Sequence, residues 1–276
     1  MLKLMYITNR PEIAQIAESA GVDRIFIDME YIGKAERQGG MDTVQSHHTL
    51  QDVKNIASAI EQAELLVRVN PIHEASDKYC SSREEIEAAI KNGAQIIMLP
   101  YFKTVEEVAE FLEIVDGRVK TMPLVETPEA VEVIDDILQL DGIDEIYIGL
   151  NDLSLGYGMK FMFELLSNGT VEELCHKFHK KGIPYGFGGI AALGKGQLPA
   201  EKIIAEHYRL GSTRAILSRS FCNVEKVNHM GVISSTFVNG VKEMRDYEKK
   251  VAIHSDFFRE NSEDIAIAVH KICDEE

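Results

Sequence analysis

Residues 119–154 read VKTMPLVETPEAVEVIDDILQLDGIDEIYIGLNDLS. Two short apolar runs, Val119–Val125 and Asp144–Gly149, flank one helical stretch, Pro128–Leu138. Thr127 followed by Pro128 and Glu129 marks a helix start, with proline where its missing N–H costs nothing. A strand, a helix and a second strand in succession form a parallel unit, because the crossover returns the chain to the same end of the sheet. A carboxylate follows each run. Glu126 ends Met122-Pro123-Leu124-Val125, and Asp152 comes just after Ile146-Tyr147-Ile148-Gly149.

The same alternation extends over most of the chain. Further strands are expected at Lys3–Ile7, Asp23–Asp28, Leu65–Val69, Gln95–Leu99, Pro184–Gly188 and Arg214–Leu217, each short and largely apolar on both faces, as in a sheet covered by helices. Helices are expected at Pro11–Ala20, Leu50–Gln62, Arg83–Asn92, Val105–Val115 and Ala200–Leu210. Gly21, Gly93 and Gly211 stand where a helix must stop before the next strand. Eight strands with intervening crossovers give an α/β fold, a (β/α)8 TIM barrel with a helical C-terminal extension. A doubly wound open sheet is the alternative, since strand order is not written in the sequence. No Pro/Gly/Ser-rich linker divides the chain, so residues 1–276 are read as a single domain. The helix-rich tail, 224–276, exceeds what the last barrel helix needs and is expected to pack on a neighbouring subunit, with its own barrel as the alternative.

Composition narrows the function. The 29 Lys and Arg against 45 Asp and Glu give a formal net charge of −16. With no basic block, nucleic acid is not an expected partner. Cys80, Cys175, Cys222 and Cys273 are scattered without a CxxC and read as reduced thiols. The N-terminal apolar run is too short for a secretory signal and no stretch is long enough to cross a bilayer. A cytoplasmic protein is the expectation, working as a homo-oligomer, a trimer or hexamer.

In such a barrel chemistry occurs at the C-terminal strand ends. Glu126 and Asp152 would share that rim on adjacent strands, and a hard divalent cation asks for one or two carboxylates, filling its remaining positions with water and substrate oxygens. Alternatively, Glu126 caps the helix starting at Pro128 and Asp152 caps the turn at Leu153-Ser154. Arg68 interrupts Leu65-Leu66-Val67-Arg68-Val69. Its guanidinium suits a carboxylate or a developing enolate oxygen, or else it pairs internally with Asp28 or Glu30. Those two acids, two apart, share an orientation if the strand continues. In the loop that follows, His47 and His48 are candidates for general base or acid, or ordinary surface histidines.

Two patterns are set aside. Gly186-Phe187-Gly188-Gly189-Ile190-Ala191 fits a loose dinucleotide fingerprint, but a fingerprint opens the first βαβ unit and this falls at the seventh strand; a turn admitting substrate to the backbone is preferred. Cys175, His176 and His179 have helical spacing without a second ligand pair, which does not make a zinc site.

Taken in order, several segments resemble the HpcH/HpaI aldolase and citrate lyase beta family of pyruvate-binding barrels. They are Ala20-Gly21-Val22-Asp23 with Ile27-Asp28-Met29-Glu30, Val67-Arg68-Val69, Asn92-Gly93-Ala94 with Ile97-Met98-Leu99-Pro100, Leu124-Val125-Glu126-Thr127, and Ile148-Gly149-Leu150-Asn151-Asp152-Leu153-Ser154. The resemblance implies that Glu126 and Asp152 are metal ligands, that Arg68 binds the pyruvate enolate, and that backbone at Leu150 and Asn151 meets the substrate carboxylate. It implies Mg²⁺, with Mn²⁺ or Co²⁺ equally suited to oxygen ligands, and a 2-oxo acid and an aldehyde as partners. Two departures stand out. Tyr31 occupies the position where the sugar-acid aldolases of this family have a histidine base, and Leu124 replaces a glutamine, as in the citrate and malyl-CoA lyase branch. The expected function is a metal-dependent carbon–carbon lyase, with Arg68, His48, His47, Asp28 and Glu30 in catalytic roles. The alternatives are an acyl-CoA lyase, or a catalytically altered homologue that still binds metal and 2-oxo acid.

Overall fold

Strands that are apolar on both faces need cover on both sides, and a closed barrel ringed by helices supplies it. The computed structural model describes residues 1–34, 46–227, 229–253 and 257–275, the last without the side chain of Glu275. Strands β1 (Lys3–Ile7), β2 (Arg24–Asp28), β3 (Glu64–Arg68), β4 (Ile96–Leu99), β5 (Lys120–Val125), β6 (Ile146–Ile148), β7 (Tyr185–Ile190) and β8 (Arg214–Leu217) follow one another around a closed barrel. Every neighbouring pair is parallel, including β8 on β1. The fold is a (β/α)8 TIM barrel, and the open sheet is excluded.

Outside the strands lie α1 (Pro11–Ser19), α2 (Leu50–Ala59), α3 (Ser82–Lys91), α4 (Val105–Val115), α5 (Pro128–Glu132), α6 (Ile134–Ile137), α7 (Leu150–Gly156), α8 (Glu164–Ser167), α9 (Thr170–Lys181) and α10 (Ala200–Arg209), then α11 (Met230–Val251) and α12 (Phe258–Glu275). Reciprocal caps start α2, α3 and α4, where Thr49, Ser81 and Thr104 pair with Asp52, Glu84 and Glu107. The helix expected over Pro128–Leu138 is instead two short ones broken at Val133, whose φ of −99° and ψ of 10° leave the helical region. Inside the barrel, Met5, Phe26, Leu66, Ile96, Met98, Met122, Leu124 and Tyr147 form one packed core. A larger one lies between strands and helices.

The N-terminal end of the barrel is closed by charge. Arg24 is fully buried and grips Glu145 with two bonds of 2.6 and 2.7 Å, while its Nε donates to Glu64 at 2.9 Å. Arg214 also donates to Glu145, at 2.8 Å, and Lys120 pairs with Glu64. Pairing registers put Arg24 opposite Glu64 and Lys120 opposite Ile96, so these groups lie level across the floor.

The tail lies against its own chain. Glu248 on α11, wholly buried, accepts from the Leu2 amide at 2.6 Å and the Tyr208 hydroxyl at 3.0 Å. Arg245 bonds Glu248, the Leu2 carbonyl and Asp23. On α12, Asn261 donates to the Lys202 carbonyl at 3.1 Å and Glu206 at 3.2 Å, and Asp264 pairs with Lys202. These contacts hold the tail on its own barrel. Among the described residues no helix is long and apolar enough to cross a membrane.

Candidate active site

A cavity of about 670 Å³ opens at the C-terminal strand ends, and all eight strands contribute to its wall. Tyr147, one of the barrel-core residues that line it, donates its hydroxyl to the Gly188 carbonyl at 2.6 Å and accepts from the Ile216 amide at 2.9 Å. Here β7 shifts register against β8 between Gly186 and Gly189. The glycine-rich segment is therefore a bulged strand. Gly188, at φ +56°, brings its backbone so close to Leu150 that an added Cβ would lie 2.7 Å from Leu150 Cδ1.

Glu126 and Asp152 both line the cavity and are nearly buried, at 4% and 7% exposure. Pairing of Val125 with Ile148 brings Glu126 beside Gly149. An added Cβ on Gly149 would come within 2.7 Å of Glu126 Oε2, so only glycine leaves this carboxylate its place. Glu126 Oε1 accepts from the Tyr101 amide at 3.0 Å, and Tyr101 is held at φ +48°. Glu126 is not a helix cap, because Thr127 caps α5 by accepting from the Ala130 amide at 3.1 Å. Asp152 sits in the first turn of α7, a favourable place for an anion, and accepts from Asn151 Nδ2 at 3.1 Å. Burial pushes the Glu126 carboxyl well above its ordinary value; the charges of Glu30 and Asp152 add to this, and Arg68 opposes it.

Opposite this pair, Arg68 leans over the Phe26 ring and grips Asp28 with Nε and Nη2, both at 2.9 Å. Its Nη1 is 3.4 Å from Glu30. The internal pairing and the place in the cavity are thus both realised. Asp28 and Glu30 do face the same way, although β2 ends at Asp28. A second cation completes the cluster: Lys34, 4% exposed, places Nζ 2.7 Å from Asp28 and 3.5 Å from Glu30. Despite its burial, the Asp28 carboxyl is held well below the usual range by Arg68 and then Lys34.

The two histidines separate. His48 is buried in the cavity wall, and its Nδ1 accepts from the Asp28 amide at 3.0 Å. Burial lowers its pKa, which keeps the ring neutral, with its proton on Nε2 by this geometry. His47 is exposed and stacks on Tyr31, ring centres 6.0 Å apart. Sequence reasoning passed over Lys34 and the brace beneath it. Asn70 accepts from the amides of Tyr31 and Ile32 at 2.8 and 2.9 Å while donating to buried Glu85. The visible signal for Lys34 was only its i,i+4 spacing from Glu30.

A divalent ion can be tested against this donor set. Four nearly buried carboxylates, Asp28, Glu30, Glu126 and Asp152, accompany two cations, buried Lys34 and part-buried Arg68. Both cations pair with Asp28 and Glu30, and a divalent cation would favour the ionised form of Glu126 and Asp152, against the burial that pushes Glu126 up. Among the described residues no group of three or more His, Cys, Asp or Glu is placed to hold a metal. Two carboxylates suit Mg²⁺, which keeps waters and substrate oxygens in its shell. The residues fit the ion.

A sequence profile of the HpcH/HpaI aldolase/citrate lyase family matches residues 3–164, more than half of the chain, and the chain belongs to this family. No curated protein sequence gives a significant match. Among solved structures, an HpcH/HpaI aldolase from Desulfitobacterium hafniense DCB-2 is 19% identical, with TM-score 0.58 over 79% of this chain and 86% of that one. A family protein from Burkholderia cenocepacia J2315 is 16% identical, with TM-score 0.61 over 88% and 94%. Citrate synthase SbnG is 17% identical, with TM-score 0.60 over 84% and 91%. At these identities the likeness is one of fold.

Proposed function

We propose that this chain is a divalent-metal-dependent carbon–carbon lyase of the aldolase type, acting on a small 2-oxo acid and an aldehyde through a pyruvate-like enolate. The observation that carries the reading is the cluster at the strand ends: buried Glu126 and Asp152 line one cavity together with Arg68, whose guanidinium is fixed by Asp28 and Glu30. Glu126 and Asp152 would hold the ion, Mg²⁺ in the first instance and Mn²⁺ or Co²⁺ as substitutes. When bound, the ion supplies Lewis acidity to the 2-oxo group. Arg68 gives Asp28 its Nε and one Nη2 hydrogen, and its outer hydrogens are directed at the developing enolate oxygen. Asp28 fixes the guanidinium plane, and Glu30 steadies Nη1. The first amides of α7, at Leu150 and Asn151, have no intrahelical partners and take the substrate carboxylate. His48, neutral and anchored through Nδ1, contributes Nε2–H to the wall.

The test is exchange of pyruvate methyl protons for deuterium, followed by NMR with Mg²⁺, Mn²⁺ or Co²⁺. Metal-dependent exchange is expected, and Glu126→Ala or Asp152→Ala should reduce it by two orders of magnitude or more, roughly the loss of one strong electrostatic contribution. Full activity in Glu126→Ala would remove the basis of the reading. The chain is further proposed to work as a homo-oligomer, a trimer or hexamer, which light scattering measures directly.

A further inference from the structure

Making or breaking a carbon–carbon bond next to a carbonyl oxygen moves one proton: the acceptor oxygen gains it on addition and the product hydroxyl loses it on cleavage. The group that carries this proton must reach the cavity and change protonation state. Tyr31 and His47 do not line the cavity, and burial pushes the Tyr31 phenol up to about 12. His48 has Nδ1 engaged by the Asp28 amide, so the neutral ring offers only the reluctant Nε2 proton. Tyr6 donates to the Cys222 carbonyl and burial raises it, as it raises the Cys222 thiol. Arg10, Arg68 and Arg219 carry guanidinium groups, which do not give up protons in proteins.

Among the described residues that line the cavity Lys34 is the only lysine, and its setting is built. The ammonium is buried, lines the cavity, and is fixed from one side by Asp28 at 2.7 Å and Glu30 at 3.5 Å. Two carboxylates use part of its three-donor capacity. Both carboxylates also hold Arg68, so Nζ lies beside the guanidinium assigned to the enolate. The segment that carries Lys34 is tied down by Asn70 through the Tyr31 and Ile32 amides, and the Lys34 amide donates to the Tyr31 carbonyl at 3.3 Å.

We propose that Lys34 is the catalytic residue that gives its Nζ proton to the acceptor carbonyl oxygen on addition and takes it back from the product hydroxyl on cleavage. The inference rests on the aldolase reading above. On addition, the enolate carbon forms a bond to the carbonyl carbon, the C=O π pair moves to oxygen, and that oxygen receives the Nζ proton, leaving a neutral amine that regains its proton from solvent. On cleavage, the neutral amine accepts the hydroxyl proton, the oxygen pair forms the new C=O, and the pair of the breaking carbon–carbon bond becomes the enolate. Atoms and charge balance without a further reactant.

Two reactions separate this role from ion pairing. Oxaloacetate decarboxylation generates the same enolate with no acceptor carbonyl; condensation of pyruvate with glyoxylate or glycolaldehyde requires one. Wild type, Lys34→Met and Lys34→Arg are assayed in both with Mg²⁺, with thermal shift by Mg²⁺ and oxalate as a control for the fold. Condensation should fall at least about 100-fold more than decarboxylation in both variants, within the range for general acid–base catalysis. Arginine keeps the charge and cannot shuttle the proton. Equal loss in both reactions with rescue by arginine would make Lys34 only a partner of Asp28 and Glu30. Condensation retained in Lys34→Met, or a wild type that decarboxylates yet condenses with neither aldehyde, would also overturn the proposal. A wild type inactive in decarboxylation and in pyruvate exchange would instead bring down the aldolase reading itself.

Discussion

A carboxylate keeps its position in a crowded wall only if its neighbours lack side chains, and Gly149 is that neighbour for Glu126. Its φ of −85° is open to any residue, so an alanine here introduces a steric contact without backbone strain. Gly149→Ala should cost about 1–3 kcal/mol, as overpacking does. It should also weaken Mg²⁺-dependent oxalate binding at least about tenfold, measured by calorimetry. Unchanged binding would show that the Glu126 position does not govern the ion. At this scale much of the site was legible. Arg68 declared itself by breaking an apolar run, and Glu126 and Asp152 by following one. Lys34 did not, because its place beside Asp28 depends on a chain reversal after Glu30 that returns its Nζ to that carboxylate. Nor could the sequence say which of His47 and His48 turns inward; that was settled by the amide of Asp28.

Among the elements, the strands were the most readable, since apolar runs in a barrel have few alternatives. Their ends were less so. Asp144–Gly149 was expected, yet Glu145 leaves the run to join the charged floor and the strand shrinks to Ile146–Ile148. Thr170–Lys181 was not picked out as a helix, because its buried face rests on four residues, Val171, Leu174, Cys175 and Phe178, amid charge. The floor itself has a pH signature. Although burial alone would raise Glu145, bonds to Arg24 and Arg214 hold its folded-state pKa down to about 2, against an ordinary 4.5. A depressed carboxylate stabilises the fold above the unfolded-state value, and this contribution fades as pH falls from about 4.5 towards 2. Glu145→Gln should show a flatter loss of melting temperature across that window. At neutral pH it should be less stable by about 3–5 kcal/mol, because buried Arg24 is left with Glu64 as its one charged partner among the described residues and Arg214 loses Glu145. A wild-type pH profile retained in Glu145→Gln would locate the acid sensitivity elsewhere.

For the whole molecule, the tail is a brace for the barrel rather than an appendage. Glu248 holds the Leu2 amide, Tyr208 and Arg245 together from within a fully buried position. Glu248→Ala should lower stability by about 3–5 kcal/mol, since it leaves the Leu2 amide and the Tyr208 hydroxyl without their acceptor and takes one of the two carboxylates from Arg245. A change at exposed Val232, such as Val232→Ser, should stay within about 0.5 kcal/mol. Urea titration of the two variants separates the brace from mere helix content. The clasp also has a consequence in time. β1 is synthesised before the other seven strands, yet its partner β8 begins at Arg214 and the carboxylate that grips Leu2 is Glu248. Contacts so distant along the chain carry a large loop-closure cost and form late. A nascent chain therefore keeps one edge of β1 open until β8 has been made, exposed to unwanted strand pairing. Because residues of all eight strands line the cavity, its wall is complete only after that last seam has shut.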